Sequence, residues 1–524
     1  MVIVMNKLWS SICQHSQSKP NEAAILTFNK QLESALTWRQ LHDQAQELAM
    51  RLRADKVKIL AIQAQNSPAW IVADIACSYL GIVALPLPSF FSSGQIEHVL
   101  NSLSVDAVLS DQPESLLSSS GAQFSAKEQL AGLHYLIAND AADLGNSKLA
   151  LIPPYTQKIT FTSGSTGNPK GVCLSADNQQ AVTSSLLEVT ESCAIERHLC
   201  VLPLATLLEN IAGVHAPLRR GAQIVVADEE SLGFNGASGF ALHAFLDVLS
   251  RCRPNSMILI PQLLEALVMS CDAGWQLPES LQFIAVGGAT VSPSLLERAW
   301  AHGLPVYEGY GLSECASVVT LNSPLARKNG SLGLVLRHTR VEIEDGEIIV
   351  NGPGFLGYVG DAASWSHDGI SRRIATGDLG YFDEEGFLHF QGRRKNVLVS
   401  SFGRNISPEW VEAELGAEAE IGQCFVFGDS QPYCVALIAP RTPALTDTMI
   451  DEALARVNAK LPSYARVEQW HRLPRPLSRG TGLESDLMTS NGRPRRAQIE
   501  AHFQGELALL YSVIPTNEAS IAVK

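Results

Sequence analysis

The sequence of 524 residues lacks the features of several broad protein classes. Its ten cysteines contain no Cys-x-x-Cys pair, so the sequence predicts neither a zinc site nor a disulfide framework, and reduced thiols are expected. No run approaches the roughly 20 apolar residues that span a bilayer. The longest apolar stretch, Ala69 to Pro86, is interrupted by Asp74 and Gly81. The formal charge of −14 argues against nucleic acid or an anionic membrane surface as the main partner.

The N-terminus also lacks a secretion signal, because the apolar run from Met1 to Met5 is short and no small-residue cleavage site follows it. Together with the reduced thiols, this predicts a cytoplasmic protein. A content of 46% hydrophobic and 18% charged residues is enough for large cores, and the length predicts at least two folding units.

Helical and strand patterns alternate in the first part of the chain. Apolar residues recur at helical spacing from Leu36 to Arg53, with Thr37 as a candidate cap. A strand pattern (Lys58 to Gln63), a helix beginning near Pro68 and ending at Tyr79, and a strand pattern (Ile82 to Leu87) follow. This β-α-β order predicts an α/β fold with a mostly parallel sheet.

The strongest candidate site is a loop rich in hydroxyl residues and glycines that follows an apolar strand, Lys158 to Phe161. Glycines let the backbone turn closely around an anion, hydroxyl groups donate to phosphate oxygens, and a lysine supplies a positive charge. A simple Gly/Ser turn is the alternative, but the length and order favour phosphate binding. The loop lacks the Gly-Lys-Ser/Thr ending of ATPase P-loops. The candidate ligands are Thr162, Ser163, Gly164, Ser165, Thr166, Gly167 and Lys170.

This loop, from Ile159 to Val172, resembles the phosphate loop of the adenylate-forming superfamily of acyl-CoA synthetases, aryl-CoA ligases, luciferases and peptide-synthetase adenylation domains. Further motifs follow in the same order: Gly287-Gly288-Ala289-Thr290 after a strand, Glu308-Gly309-Tyr310-Gly311-Leu312-Ser313-Glu314, and Thr376-Gly377-Asp378. The resemblance covers about residues 20 to 500. It implies a large N-terminal domain of layered α/β sheets and a small mobile α+β C-terminal domain.

The resemblance also implies roles for these residues. Tyr310 would stack on adenine, the Ser313 hydroxyl would contact the α-phosphate, and Glu314 would hold Mg²⁺, a cation that prefers oxygen ligands. Asp378 would accept from both ribose hydroxyls, and Arg393 would reach ribose or phosphate. The backbone at Gly288, Ala289, Glu308, Gly309 and Gly311 would border the nucleotide. The implied catalytic set is Lys170, Ser313, Glu314 and Arg493.

The C-terminal region departs from the superfamily at one position. Relatives carry Thr-x-x-Gly-Lys-x-x-Arg, whose lysine bridges the carboxylate and the α-phosphate, whereas this chain has Arg493 at the lysine position. No lysine occurs between Lys460 and Lys524, so a register shift cannot restore one. Arginine keeps the charge but differs in reach and geometry. Loss of activity is therefore the alternative to a working arginine.

A second departure is Thr206, where many relatives have histidine or an aromatic residue at the mouth of the acyl pocket. Two interpretations stay open: the small hydroxyl widens the pocket entrance, or it caps a helix through Glu209. We assign Thr206 and Gly288 to the substrate pocket. The neighbouring segment Leu202 to Glu209 and the segment Pro86 to Phe91 look more like fatty-acyl ligases than like amino-acid-activating domains.

The predicted organisation is an AMP-binding domain (residues 1–391), a hinge (392–395, a polar turn containing Lys395) and a lid domain (396–524). The predicted activity uses ATP and Mg²⁺ to convert a medium- or long-chain fatty acid to an acyl-adenylate and then transfers the acyl group to coenzyme A. The alternatives are a ligase that loads the phosphopantetheine of an acyl carrier protein, and a nucleotide- or acyl-binding protein without turnover. No nucleic-acid partner and no transmembrane segment are expected.

Overall fold

The computed structural model of the chain describes residues 6–29, 31–114, 116, 124–139, 151–162, 169–235, 239–366, 372–402, 404–477, 487–489 and 493–512. The strands, numbered in chain order, are β1 (Ala23–Asn29), β2 (Gln31–Thr37), β3 (Ile59–Gln63), β4 (Val83–Pro86), β5 (Ala107–Ser110), β6 (Phe124–Leu130), β7 (Leu133–Ala138), β8 (Lys158–Thr162), β9 (Lys170–Leu174), β10 (Arg197–Cys200), β11 (Gln223–Ala227), β12 (Phe234–Asn235), β13 (Gly239–Phe240), β14 (Ser256–Leu259), β15 (Phe283–Val286), β16 (Val306–Tyr310), β17 (Thr320–Leu321), β18 (Leu334–Val335), β19 (Arg340–Glu344), β20 (Glu347–Gly352), β21 (Gly357–Tyr358), β22 (Arg372–Phe382), β23 (Leu388–Arg393), β24 (Leu398–Val399), β25 (Asn405–Ile406), β26 (Ile421–Phe427), β27 (Cys434–Pro440) and β28 (Val467–Arg472).

The α-helices are α1 (Lys7–Ser18), α2 (Trp38–Ala54), α3 (Pro68–Leu80), α4 (Ser93–Ser102), α5 (Ala176–Val189), α6 (Ala216–Arg220), α7 (Leu242–Cys252), α8 (Pro261–Asp272), α9 (Pro293–Ala301), α10 (Pro408–Gly416), α11 (Asp447–Lys460), α12 (Arg496–His502) and α13 (Gln504–Ser512). A π-helix, Glu209–His215, precedes α6. Within the described residues, no helix is both long enough and apolar enough to cross a bilayer.

Local sequence signals explain where the first helices begin. Thr37 and Gln40 form a reciprocal capping box at the start of α2, which confirms Thr37 as the helix cap. Ser67 accepts from the Trp70 amide, and Pro68 occupies the first turn of α3, where its missing N–H costs nothing. The predicted alternation of helices and strands in this region is therefore confirmed.

Two large sheets form the N-terminal part. In the nine-stranded sheet (order β18-β17-β16-β15-β14-β10-β11-β1-β2), the six strands from β16 to β1 run parallel. In the eight-stranded sheet (β21-β9-β8-β4-β3-β5-β7-β6), β3 pairs in parallel with β4 and β5. The helices α2 and α3 fill the space between the sheets, where their apolar faces share one core with β1, β3 and β11. The prediction of layered α/β sheets is confirmed. The predicted parallel pairing holds for most of the nine-stranded sheet, whereas the eight-stranded sheet has three parallel and four antiparallel pairs.

Smaller sheets complete the described part of the chain, among them the two-stranded pairs β12-β13 and β24-β25. A four-stranded antiparallel sheet, β19-β20-β22-β23, leads to the C-terminal part, which has a three-stranded sheet, β26-β27-β28, with α10 and α11 packed against it. The sequence interpretation of Gly392 and Arg393 as a turn is wrong, because both residues pair with β22 as the end of β23. The turn begins at Arg394. The domain boundaries proposed from the sequence stay a prediction.

Candidate active site

The candidate site takes residues from both large sheets and from the four-stranded sheet β19-β20-β22-β23. Gly288 and Tyr310 stand at the carboxyl ends of the parallel strands β15 and β16, the edge at which open α/β sheets bind ligands. Thr162 and Lys170 end β8 and begin β9 in the second sheet, where they pair directly. The loop residues Ser163, Gly164, Ser165, Thr166 and Gly167 lie outside the described residues. Their predicted role in phosphate binding stays a prediction.

Close backbone approach explains the glycines on these strand ends. A Cβ on Gly287 would lie 3.1 Å from the Gly309 carbonyl oxygen, and a Cβ on Gly311 would lie 1.5 Å from the Ser317 carbonyl oxygen. The turn after Gly311 is strained, since Ala316 and Ser317 have φ values of 53° and 102°. A side chain at Gly311 would therefore displace the turn that carries Ser313 and Glu314.

Asp378 is the centre of a hydrogen-bonded group. Its Oδ2 accepts from the Tyr310 hydroxyl at 2.7 Å, and its Oδ1 lies 3.2 Å from Arg393 Nε. Burial raises the pKa of Asp378 above its ordinary value, although Arg393 and Tyr310 act in the opposite direction. Burial and the charge of Asp378 raise the pKa of Tyr310. The structure thus brings together three residues that the sequence assigned to the nucleotide.

Glu314 and Lys170 share a neighbour, Tyr358. The Tyr358 hydroxyl donates to Glu314 Oε1 at 2.9 Å, and Lys170 Nζ lies 5.7 Å from the centre of the Tyr358 ring. Burial and then the charge of Glu314 raise the pKa of Tyr358. Sequence analysis missed Tyr358, because a single tyrosine after a glycine has no pattern that distinguishes it from a core residue.

Arg493 joins the C-terminal part to the end of β15. Its Nη2 donates to the Gly288 carbonyl oxygen at 3.2 Å, and its amide is held by Thr489 Oγ1 at 2.8 Å. Reduced hydration and then the charge of Arg393 lower the pKa of Arg493, and the same two causes lower that of Lys395. Three cationic side chains therefore converge beside Asp378, an arrangement that favours a polyanionic ligand.

One cavity of about 2360 Å³ connects these groups with an apolar pocket beneath them. The site end includes Gly288, Ala289, Glu308, Gly309, Tyr310, Gly311, Ser313, Glu314, Asp378, Arg393, Lys395 and Arg493. The other end is lined mainly by apolar side chains, among them Leu186, Leu208, Ala212, Ile258 and Phe283. The shape fits a ligand with a highly charged part and an apolar part.

Comparison with known proteins decides the family. The family model described as AMP-binding enzyme matches residues 13–359. The chain belongs to the AMP-binding enzyme family. The model of the AMP-binding enzyme C-terminal domain matches residues 395–514.

Several relatives of this AMP-binding enzyme have names that specify an activity. The 2-succinylbenzoate–CoA ligase of Bacillus velezensis is 30% identical over 453 residues, which cover 80% of this chain and 85% of that protein. The feruloyl-CoA synthase of an Amycolatopsis species is 28% identical over 84% of this chain and 91% of that protein. The human long-chain-fatty-acid–CoA ligase 6 is 23% identical over 92% of this chain and 83% of that protein.

Solved structures show the same fold as this AMP-binding enzyme. The anthranilate CoA ligase AuaEII, solved with anthranoyl-AMP, has a TM-score of 0.75 at 16% identity and covers 96% of this chain and 98% of its own. The O-succinylbenzoate coenzyme A synthetase of Bacillus subtilis, solved with AMP, has a TM-score of 0.69 at 24% identity and covers 94% and 98%.

The structure corrects one interpretation of Thr206 in this AMP-binding enzyme. The Thr206 hydroxyl donates backward to the Pro203 carbonyl oxygen at 2.7 Å, and the Glu209 side chain turns away to His198 and to the Leu202 amide. The predicted helix cap through Glu209 is therefore wrong. Thr206 does line the cavity. Its assignment to the substrate pocket stays a prediction.

Proposed function

We propose that the protein is an adenylate-forming acid–CoA ligase that works in two steps. A carboxylic acid first reacts with ATP to give an acyl-adenylate and pyrophosphate, and a thiol then displaces AMP to give a thioester. The observation that carries this proposal is the convergence of Tyr310, Asp378, Arg393 and Arg493 on one end of a cavity whose other end is apolar.

In the first step, a carboxylate oxygen of the acid attacks the α-phosphorus, and the bond from phosphorus to the bridging oxygen breaks with its electron pair leaving on pyrophosphate. Asp378 holds the ribose hydroxyls, and Tyr310 stacks on the adenine. Lys170 and Ser313 bind phosphate oxygens. The Glu314 carboxylate fits Mg²⁺, since it offers oxygen ligands and shares its neighbour Tyr358 with Lys170. Bound Mg²⁺ supplies neutralisation of phosphate charge.

Arg493 takes the bridging role in that step. Its guanidinium stands at the Gly288 carbonyl, where the acid and the α-phosphate would meet, and its fork of N–H donors can contact two oxyanions at once. The C-terminal domain then rotates about Lys395, so that Arg493 leaves the site and a channel for the thiol forms. The thiol of coenzyme A attacks the acyl carbon, and AMP departs.

The apolar end of the cavity supports an acid with a medium or long aliphatic tail. The names of the relatives at 28–30% identity favour a second candidate, an aryl acid. A pantetheinylated carrier protein as thiol acceptor is the alternative to coenzyme A.

The deciding experiment is mass spectrometry of the protein mixed with ATP, Mg²⁺ and a pool of fatty and aryl acids, with and without coenzyme A. An acyl-adenylate that becomes an acyl-CoA is the expected result, and its mass identifies the acid. An adenylate that persists with coenzyme A indicates a carrier protein as acceptor. Absence of any adenylate, even for Arg493→Lys, overturns the proposal and favours a binding protein without turnover.

A further inference from the structure

Two polar side chains stand at the inner end of the apolar pocket. His198 in β10 and Ser256 in β14 are direct neighbours in the parallel register, and Ser256 is in turn the neighbour of Phe283 in β15. His198 Nδ1 lies 2.9 Å from Ser256 Oγ. Both residues are only 3% exposed, yet both line the cavity that reaches Gly288. This pair is called the polar floor below.

Glu209 holds the polar floor in place. Its side chain is fully buried, its Oε1 lies 3.0 Å from His198 Nε2, and its Oε2 accepts from the Leu202 amide at 3.0 Å. A Cβ on Gly213 would lie 2.0 Å from Glu209 Oε1 and 2.7 Å from His198 Nε2. The π-helix therefore places a glycine where the carboxylate and the imidazole meet. π-helical turns are frequent at functional sites.

The Ser256 hydroxyl can make a further hydrogen bond in addition to the one with His198. Because the Glu209 carboxylate accepts at Oε1, the hydrogen of His198 is on Nε2, and Nδ1 accepts from Ser256. The serine oxygen then keeps its acceptor positions for another group. If the imidazole carries both hydrogens, Nδ1 donates to Ser256, and the serine O–H becomes a free donor. In either state the hydroxyl presents one hydrogen-bonding function to the cavity.

The distance between the reaction centre near Gly287 and the polar floor determines how long a ligand must be to reach Ser256. Gly287 lies four positions along the chain from Phe283, the neighbour of Ser256, and just beyond the end of β15; this is about 13 Å at the rise of a β-strand. The wall between is apolar on this face, with Ile258 two residues along β14 from Ser256. An unbranched tail can cross that distance without a polar contact.

We propose that the polar floor is a specificity site: Ser256, oriented by His198 and Glu209, selects acids whose tail carries an uncharged hydroxyl or carbonyl group about 13 Å from the carboxylate. The inference rests on the proposed ligase function. A negatively charged group at the tail is disfavoured, because Glu209 already places a buried carboxylate beside the floor. His198, Cys200 and Glu209 also approach one another here, and each has a hydrogen-bond partner within the protein: Glu209 pairs with His198 and the Leu202 amide, and the Cys200 thiol donates to the Gly213 carbonyl oxygen.

The test compares straight-chain acids with their ω-hydroxy counterparts across chain lengths, with pyrophosphate release as the readout. At the matching length, kcat/KM for the hydroxy acid should exceed that for the plain acid by about five- to tenfold, as expected for one hydrogen bond that a buried site would otherwise leave unmade. Dicarboxylic acids of the same length should be the poorest substrates. Ser256→Ala should remove the preference, so that kcat/KM for the hydroxy acid no longer exceeds that for the plain acid in the same variant.

Ile258→Val is the matched control, since it changes the volume of the same wall without changing its polarity. It should alter both acids equally, and thermal unfolding of both variants verifies that they are folded. Equal kcat/KM values for hydroxy and plain acids at every length, or an undiminished preference in Ser256→Ala, overturn the specificity site while leaving the ligase intact. Absence of pyrophosphate release with any acid overturns the ligase function instead.

Discussion

The two ends of the cavity organise their polar groups in different ways. At the nucleotide end, Tyr310, Asp378 and Arg493 come from distant parts of the chain, and their partners are one another or a backbone carbonyl at the open cleft. At the acyl end, His198 and Glu209 belong to one sheet and the π-helix beside it, and both are buried.

This difference has a consequence for binding. Each oxygen of the Asp378 carboxylate has one partner, Tyr310 or Arg393, so under the proposed function ribose hydroxyls would share these oxygens with the two side chains or displace them. The polar floor needs no such exchange, because Ser256 keeps a hydrogen-bonding function while His198 stays in place. The nucleotide end is therefore adaptable, and the acyl end is preorganised. Variants at each end test this comparison.

The largest effect is expected at the nucleotide end. Glu314→Ala and Asp378→Ala should each lower the rate of adenylate formation at least ~10²-fold, because each removes a contact that is strongest in the transition state. Pyrophosphate release measured in a single turnover reports this rate. Glu384→Ala removes an exposed carboxylate in the loop after β22 and is the control that should leave the rate unchanged. Normal turnover in both site variants would falsify the assignment.

The same contrast explains what the sequence could predict. The proposed nucleotide end was predicted from short motifs, such as Tyr310 to Glu314, because the spacing of residues within one motif can be read without knowledge of the fold. The alternating pattern likewise predicted the parallel pairing of β3 with β4, but not the antiparallel strands at both edges of that sheet. The polar floor was not predicted, because His198 and Ser256 are 58 residues apart and meet through strand register alone.

Local rules also failed where tertiary contacts competed with them. The capping pattern of Thr206 and Glu209 is a good sequence signal, yet burial beside His198 gives Glu209 stronger partners than a helix end does. The turn predicted at Gly392 became a strand end, because pairing with β22 satisfies its backbone. Neither outcome follows from the neighbouring residues.

At the acyl end, Gly213→Ala should lower the free energy of unfolding of the large domain by about 2 kcal/mol, because the new Cβ would separate Glu209 from His198 and leave a buried charge poorly paired. Chemical denaturation measures the change. Gly94→Ala is the matched control: its helix leaves open space around the new Cβ, and the substitution should be neutral or slightly stabilising. Equal stability of the two variants would show that the π-helix tolerates the separation.

A buried glutamate at the nucleotide end, Glu308, should make the stability of the protein depend on pH. Burial raises the pKa of Glu308 from 4.5 to about 8, so the folded state keeps a proton that the unfolded state loses above pH 4.5. Between these two values the contribution of Glu308 to stability falls as pH rises, by about 1.4 kcal/mol per pH unit. Glu308→Gln stays neutral, and its stability relative to the original protein should increase steadily from pH 5 to pH 8. A difference that is independent of pH contradicts the raised pKa.

The smallest predicted effect concerns the contact that holds the C-terminal part near the nucleotide end. Arg441 Nη2 lies 2.5 Å from Glu265 Oε1, between the end of β27 and α8. Burial raises the pKa of Glu265 in spite of Arg441, so we expect this ion pair to contribute only about 1 kcal/mol. Arg441→Gln and Glu265→Gln should each lower the rate of adenylate formation about fivefold, and the double variant should be no slower than either one. Additive losses would show that the two residues act separately. The preference among acids should not change in any of the three variants, because neither residue contacts the polar floor. A changed preference would mean that the two ends of the cavity are coupled.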